Sequence, residues 1–199
     1  MAVLKDILRY SPYIGQLLRY PLRKLLYKHI HYTTNISSGC RIRPRYVWLG
    51  AHVYIGRNDR IEGVPYYNGR TYTPLIILHD RVSIQQNSHL TCAEKIEIGA
   101  NTAIAANVTI TDINHPYEDI TKPIERQPLD VKPVTIGEDC KIYNNCVILP
   151  GVNIGKHCCI GANSVVTHDV PDYSVAVGSP ARVIKRYSFE EKKWIRIKK

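Results

Sequence analysis

A chain of 199 residues, 44% hydrophobic and 22% charged, has the length and balance of one soluble globular domain, which excludes disordered and fibrous classes. No stretch reaches the roughly eighteen uninterrupted apolar residues of a membrane-spanning helix, because Arg, Lys or Pro breaks every candidate. The net charge of +10 sits on the two ends: residues 1–30 carry six basic and one acidic residue, residues 182–199 eight and two, and the span between them thirteen and fourteen. That distribution argues for a solvated face, an anionic ligand or a membrane surface, and against a groove that reads nucleic acid.

Residues 1–39 are expected to form an N-terminal helical segment. Apolar pairs at Val3/Leu4, Ile7/Leu8, Leu17/Leu18 and Leu25/Leu26 have helical spacing, and Pro12 and Pro21 divide them into short helices. Lys5, Arg9, Arg19 and Pro21 break the apolar run that a signal peptide needs, so a cytoplasmic location is expected. The segment has two roles open to it: covering the open end of the domain that follows, or attaching to an anionic membrane surface.

From residue 40 the chain repeats. Aliphatic residues recur every six positions at Leu49, Ile55 and Ile61, at Leu78, Ile84, Leu90 and Ile96, at Ile98, Ile104 and Ile110, and from Ile136 through Ile142, Ile148, Ile154 and Ile160 to Val166. In the last run the residue four further on is small: Cys140, Cys146, Val152, Cys158, Ser164. A period of six suits a short strand and a turn, with glycines after Ile98, Ile136, Ile154 and Ile160 letting the backbone bend. Three such units close one triangular coil, and stacked coils make a parallel β-helix, here over residues 40–187. Two insertions break the stride, at 62–76 and at 111–133. The six cysteines lack CxxC or Cys/His spacing, and Cys140, Cys146 and Cys158 share one phase of the repeat, so small inward-facing core residues are expected rather than ligands or disulfides. Beyond the repeat, Ser188 and Glu191 have capping-box spacing, which predicts a short basic helix over 188–199.

The repeats, the "NHP" of the second insertion and the tail "IGANSVVTHDVPDYSVAVGSPARVIKR" resemble the hexapeptide-repeat acyltransferases. The nearest patterns are those of the maltose, galactoside and xenobiotic acetyltransferases and the O-acetyltransferases of bacterial surface polysaccharides. The resemblance implies a mainly β, left-handed parallel β-helix, an exception to the usual right-handed crossover. It also implies a homotrimer, acetyl-CoA as cosubstrate, no metal, and a small sugar acceptor.

His115 is the candidate general base, since imidazole titrates where a base for a hydroxyl must; His29, His31, His52, His79, His89, His157 and His168 lack a comparable setting. Asp112, Asn114, Glu118 and Asp119 are the candidates to orient the His115 ring, with Asp112 favoured. The resemblance places acetyl-CoA at Asn144, Ala162, Thr167, Arg182 and Lys185. It departs from the family pattern at His168, where Lys is common, and at Lys141, where Trp is common. Gln85 and Asn114 are candidates for the acceptor. Gln85 and Ala93 replace the Asn and Asp of small-sugar enzymes, which argues against a plain maltose or galactoside acceptor. Tyr66, Tyr67 and Tyr72 either stack on a sugar or cover the coil. The function expected is O-acetylation of a sugar hydroxyl in O-antigen or capsule synthesis. The alternatives are an antibiotic or amino-sugar N-acetyltransferase and a non-enzymatic β-helix scaffold. A zinc enzyme on this scaffold is disfavoured, because no His follows His115 at the needed spacing and residue 120 is Ile.

Overall fold

In the computed structural model, residues 12–197 are described. Three parallel sheets of six, nine and six strands form the sides of a β-helix. The six-residue stride becomes three vertical ladders. Leu49, Leu78, Ile98, Ile136 and Ile154 stack in the first sheet. Ile55, Ile84, Ile104, Ile142 and Ile160 stack in the second, and Ile61, Leu90, Ile110, Ile148 and Val166 in the third. All fifteen are at most 3% exposed and together fill the coil interior. The small residues Cys140, Cys146, Val152, Cys158 and Ser164 are buried at the corners, where a larger side chain would collide with the facing ladder.

The corners turn by a different device from the one expected of the glycines. Gly99, Gly137, Gly155 and Gly161 do not have left-handed φ angles; the residues two further on do, at Asn101, Asp139, His157 and Asn163. The glycines are needed because the next coil is too close: a Cβ on Gly99 would lie 2.5 Å from the Glu138 nitrogen, and one on Gly137 2.7 Å from that of Lys156. At the corner from second to third sheet the left-handed residue is Gly39 in the first coil and Asn in the next five, at 58, 87, 107, 145 and 163. Asn tolerates this region best among residues with a Cβ. Three of these side chains form a ladder, Asn107 donating to Asn145 at 3.1 Å and Asn145 to Asn163 at 2.9 Å.

Both ends differ from expectation. The coil starts ahead of residue 40, because His29–Ile30 pairs with the strand Val47–Leu49. Ile30, Ile36 and Ile42 already keep the stride, which then slips by one residue at the 3₁₀ turn Pro44–Tyr46. The helix Pro12–Leu26 runs unbroken through Pro21, whose ring lies on the exposed side. The apolar pairs at 3/4 and 7/8 lie outside the described residues.

The predicted C-terminal helix is a β-hairpin instead. Ala181–Ser188 and Lys193–Arg196 pair antiparallel and extend the second sheet. The Ser188 hydroxyl does accept the Glu191 N–H at 3.1 Å, but Lys192 adopts φ 51° and ends the turn. Edge-to-face packing of Tyr187 on Phe189 and on Trp194 then favours the strands over a helix.

Candidate active site

Both insertions leave the coil at one corner, from third sheet to first. The first follows the strand Arg60–Gly63 and forms the hairpin Tyr66–Tyr67 with Arg70–Thr71. The second follows Thr109–Thr111 and returns at Val134–Ile136. One coil separates them, and parallel pairing of Arg60–Gly63, His89–Cys92 and Thr109–Thr111 stacks their starting points. The two insertions therefore meet. The Tyr67 hydroxyl donates to the Glu125 carboxylate at 2.7 Å, Asn68 donates to the Glu125 carbonyl, and the Leu129 N–H donates to the Tyr72 hydroxyl at 3.1 Å.

Between them lies a pocket of about 340 Å³. Its floor is the outer face of the third sheet, where His89, Thr91, Thr109 and Thr111 alternate with the inward Leu90 and Ile110. Ile113, His115 and Leu129 of the second insertion form the roof, and Tyr67 of the first forms a wall. The Tyr67 ring meets the His115 imidazole edge-on, with centroids 5.4 Å apart. The Nδ1 atom of His115 is buried with no hydrogen-bond partner, so the ring is held in the pocket lining by packing. The His89 Nε2 lies 2.6 Å from the Thr91 hydroxyl. Burial, and then the Arg60 cation, hold His89 below the usual histidine range, against a smaller upward pull from Glu62. It therefore stays neutral near pH 7.

Asp112 does not serve His115. It is fully buried, and its carboxylate accepts the backbone N–H groups of Ala93, Glu94 and Lys95, each at 2.8 Å, and faces the Cys92 thiol at 3.3 Å. Its carbonyl accepts the Lys132 N–H at 2.9 Å and closes the neck of the insertion. The carboxylate is consumed in fixing this corner, which corrects the expectation that it orients the imidazole.

The other candidates are dispersed over one chain. Asn114 is exposed and pairs with Asp130; in an extended strand it faces away from Ile113 and His115. Gln85 starts the turn at the far end of the floor strand, its N–H given to Ile104, and does not line the pocket. Asn144 and Ala162 are exposed in one column of the Asn corner, where the Asn163 N–H donates to the Asn144 carbonyl at 2.9 Å. Arg182 belongs to the same edge, since its strand partner Val177 packs over Gly161; Arg182 also shares a cleft with Lys185 and Arg196. Thr167 stands at the other corner, its hydroxyl 2.7 Å from His168 Nδ1. His89, Thr91, Thr109 and Thr111 escaped the sequence reading, whereas Tyr67 is one of the three rings it singled out. The signal for the floor was present as polar residues on both sides of Leu90 and Ile110, in the strands just before the loop.

Among the described residues no group of three His, Cys, Asp or Glu side chains is placed to hold a metal ion, and no helix is long and apolar enough to cross a membrane. The six cysteines are free thiols.

A coil of stacked hexapeptides is the defining feature of a known class of proteins, and this chain is similar to several of them. The family described as bacterial transferase hexapeptide (six repeats) matches residues 133–168. The galactoside O-acetyltransferase of Escherichia coli K12 is 31% identical over 176 residues, covering 86% of this chain and 83% of its own. The chain belongs to the hexapeptide-repeat acetyltransferase family. WbbJ of Escherichia coli K12, whose name places it among lipopolysaccharide biosynthesis O-acetyl transferases, is 35% identical over 127 residues. That match covers 60% of this chain and just under two thirds, 65%, of WbbJ. A solved maltose O-acetyltransferase from Clostridium difficile 630 superposes with a TM-score of 0.54 at 28% identity, covering 84% of this chain and 74% of that one.

Proposed function

We propose that the protein transfers an acetyl group from acetyl-CoA to a sugar hydroxyl, with His115 as general base. The observation that carries this reading is the His115 imidazole, its Nδ1 buried and unpartnered, set over a floor of threonine hydroxyls. Floor and base suit an acceptor rich in hydroxyl groups. As the acceptor oxygen attacks the thioester carbonyl, its proton passes to the imidazole; the C–S bond then breaks and the proton is returned to the leaving thiolate. The thioester is already activated, so no covalent enzyme intermediate is required.

The donor end of the reading rests on Asn144, Ala162, Arg182 and Lys185. Arg182, Lys185 and Arg196 put three cations on one cleft at the C-terminal end of the coil, suited to phosphates. The site is open in one chain, and a homotrimer would bring this edge of one subunit to the pocket of the next, giving three equivalent sites. Surface-polysaccharide precursors are the acceptor class favoured by the likeness to the lipopolysaccharide enzyme.

The test is release of free CoA from acetyl-CoA across nucleotide sugars, lipid-linked sugars, amino sugars and aminoglycosides, with product masses. O-acetylated sugar that disappears with His115→Ala supports the reading. Turnover confined to amines, or unchanged in the variant, would overturn it.

A further inference from the structure

From residue 18 onward, the N-terminal helix carries its leucines outward. Tyr20, Arg23 and Tyr27 form the inner face at positions i, i+3 and i+7: both tyrosines pack against the core and Arg23 is half-buried. Leu18, Leu22 and Leu25, with Leu26 beside them, lie on the opposite side and are 79%, 63%, 83% and 51% exposed. A helix needed only to cover the open coil would turn these leucines inward.

The surface around this stripe has one sign of charge. Between residues 12 and 58 there are eight Lys and Arg and no Asp or Glu. Glu62, from the next strand of the third sheet, takes up Arg41 at 2.9 Å and also pairs with Arg60. Among the described residues Arg19, Lys24, Lys28, Arg43 and Arg45 have no carboxylate within ion-pair distance. Where the helix ends, a cavity of about 630 Å³ is lined by Leu25, Leu26 and Ile42 together with Lys28, Arg43 and Arg45.

We propose that this end of the molecule docks on an anionic phospholipid surface, the leucine stripe entering the headgroup boundary and the cations pairing with phosphates. Short apolar stripes bind lipid weakly alone, and each nearby cation multiplies the partition. A second copy meeting this end with its own would set cations against cations, which disfavours a self-interface. The docking is separate from the chemistry at His115 and is read without an acyl donor.

The experiment is sedimentation of the full chain with vesicles of phosphatidylcholine alone or mixed equally with phosphatidylglycerol, alongside the solution mass. The chain should bind the mixed vesicles at least on the order of tenfold better than the neutral ones, and lose that binding near about 1 M salt. Leu22→Gln with Leu25→Gln, exposed positions whose change leaves the core intact, and separately Arg43→Gln with Arg45→Gln, should each weaken binding by about tenfold. Equal binding to both vesicles, no binding, or variants that bind as wild type would overturn the proposal. So would leucine variants that lower the oligomeric mass while vesicle binding stays unchanged, because the stripe would then be covered by a second copy.

Discussion

At the corner between second and third sheets the chain turns identically at five levels, each with a left-handed Asn and six residues from one inward aliphatic to the next. At the corner between third and first sheets it runs from Ile61 to Leu78 and from Ile110 to Ile136. The strands on either side are the same ladders. Coil stability therefore needs only that each strand return in register, and what happens at a corner is free to vary if its neck is closed. The regular corner is closed by stacked backbone and asparagines; the irregular one is closed by Asp112 and by contacts between the insertions. The pocket under His115 lies where the return path is longest.

The comparison breaks most visibly at Asp112. Asp112→Ala leaves three backbone N–H groups without an acceptor, that of Ala93 buried and those of Glu94 and Lys95 part-buried, at up to about 1–3 kcal/mol each before relaxation, so a loss of about 3–5 kcal/mol is expected in denaturant unfolding. Asp112→Asn should also destabilise, because its amide would present N–H to N–H donors. A loss below about 1 kcal/mol would show that the irregular corner closes without this carboxylate.

Asp59 is the corresponding polar group inside the regular corner. It is fully buried, accepts the Ser88 N–H at 2.7 Å through one oxygen and has no partner for the other. Burial pushes its pKa from 3.8 up to about 6. The folded state thus holds the proton more tightly than the unfolded one, and stability should be highest below about pH 4 and fall as the pH rises through 6. Asp59→Asn should match wild type in acid and exceed it by up to about 3 kcal/mol at pH 7, measured as unfolding midpoints against pH. A parallel pH dependence in the variant would locate the titration elsewhere.

Glycines sharpen the same contrast at lower cost. Gly137→Ala drives a Cβ to 2.7 Å from the coil below and should cost about 2 kcal/mol by overpacking. Gly69→Ala, in the first insertion at φ +78° with nothing within 4 Å, should cost about 1 kcal/mol through backbone strain alone. Reversal of that order in thermal melts would mean that the coils are not close-packed at their corners.

The smallest effect is expected at Tyr67→Phe. It removes the exposed hydrogen bonds to Glu125, worth below about 1 kcal/mol in stability, and frees the wall against His115. The acceptor KM should rise about threefold to tenfold with the acetyl-CoA KM unchanged. Equal rises for both substrates would mean that the hairpin supports the whole site.

The regular corner was legible in the sequence because its aliphatic ladder repeats every six residues and each position has one physical demand. The same signal reached back to Ile30, Ile36 and Ile42, where one slipped residue at the 3₁₀ turn concealed it. The C-terminal hairpin was missed because Ser188 and Glu191 do make the local contact of a helix start, and contacts among Tyr187, Phe189 and Trp194 override it. At the site, the loop and His115 stood out as a broken period, whereas the use made of Asp112 could not be seen. Its partners are backbone groups seventeen to nineteen residues earlier, brought near only by the coil. The floor of His89 and threonines is likewise a product of stacking, since no stretch of sequence contains it whole.

If the longest corner holds a base over the third sheet, the sharpest experiment is kcat/KM for wild type and His115→Ala with acetyl-CoA and one sugar acceptor. The variant should be lower by about 10²–10⁴, with folding and acetyl-CoA binding retained. Near-normal turnover in His115→Ala would mean that this corner carries no base.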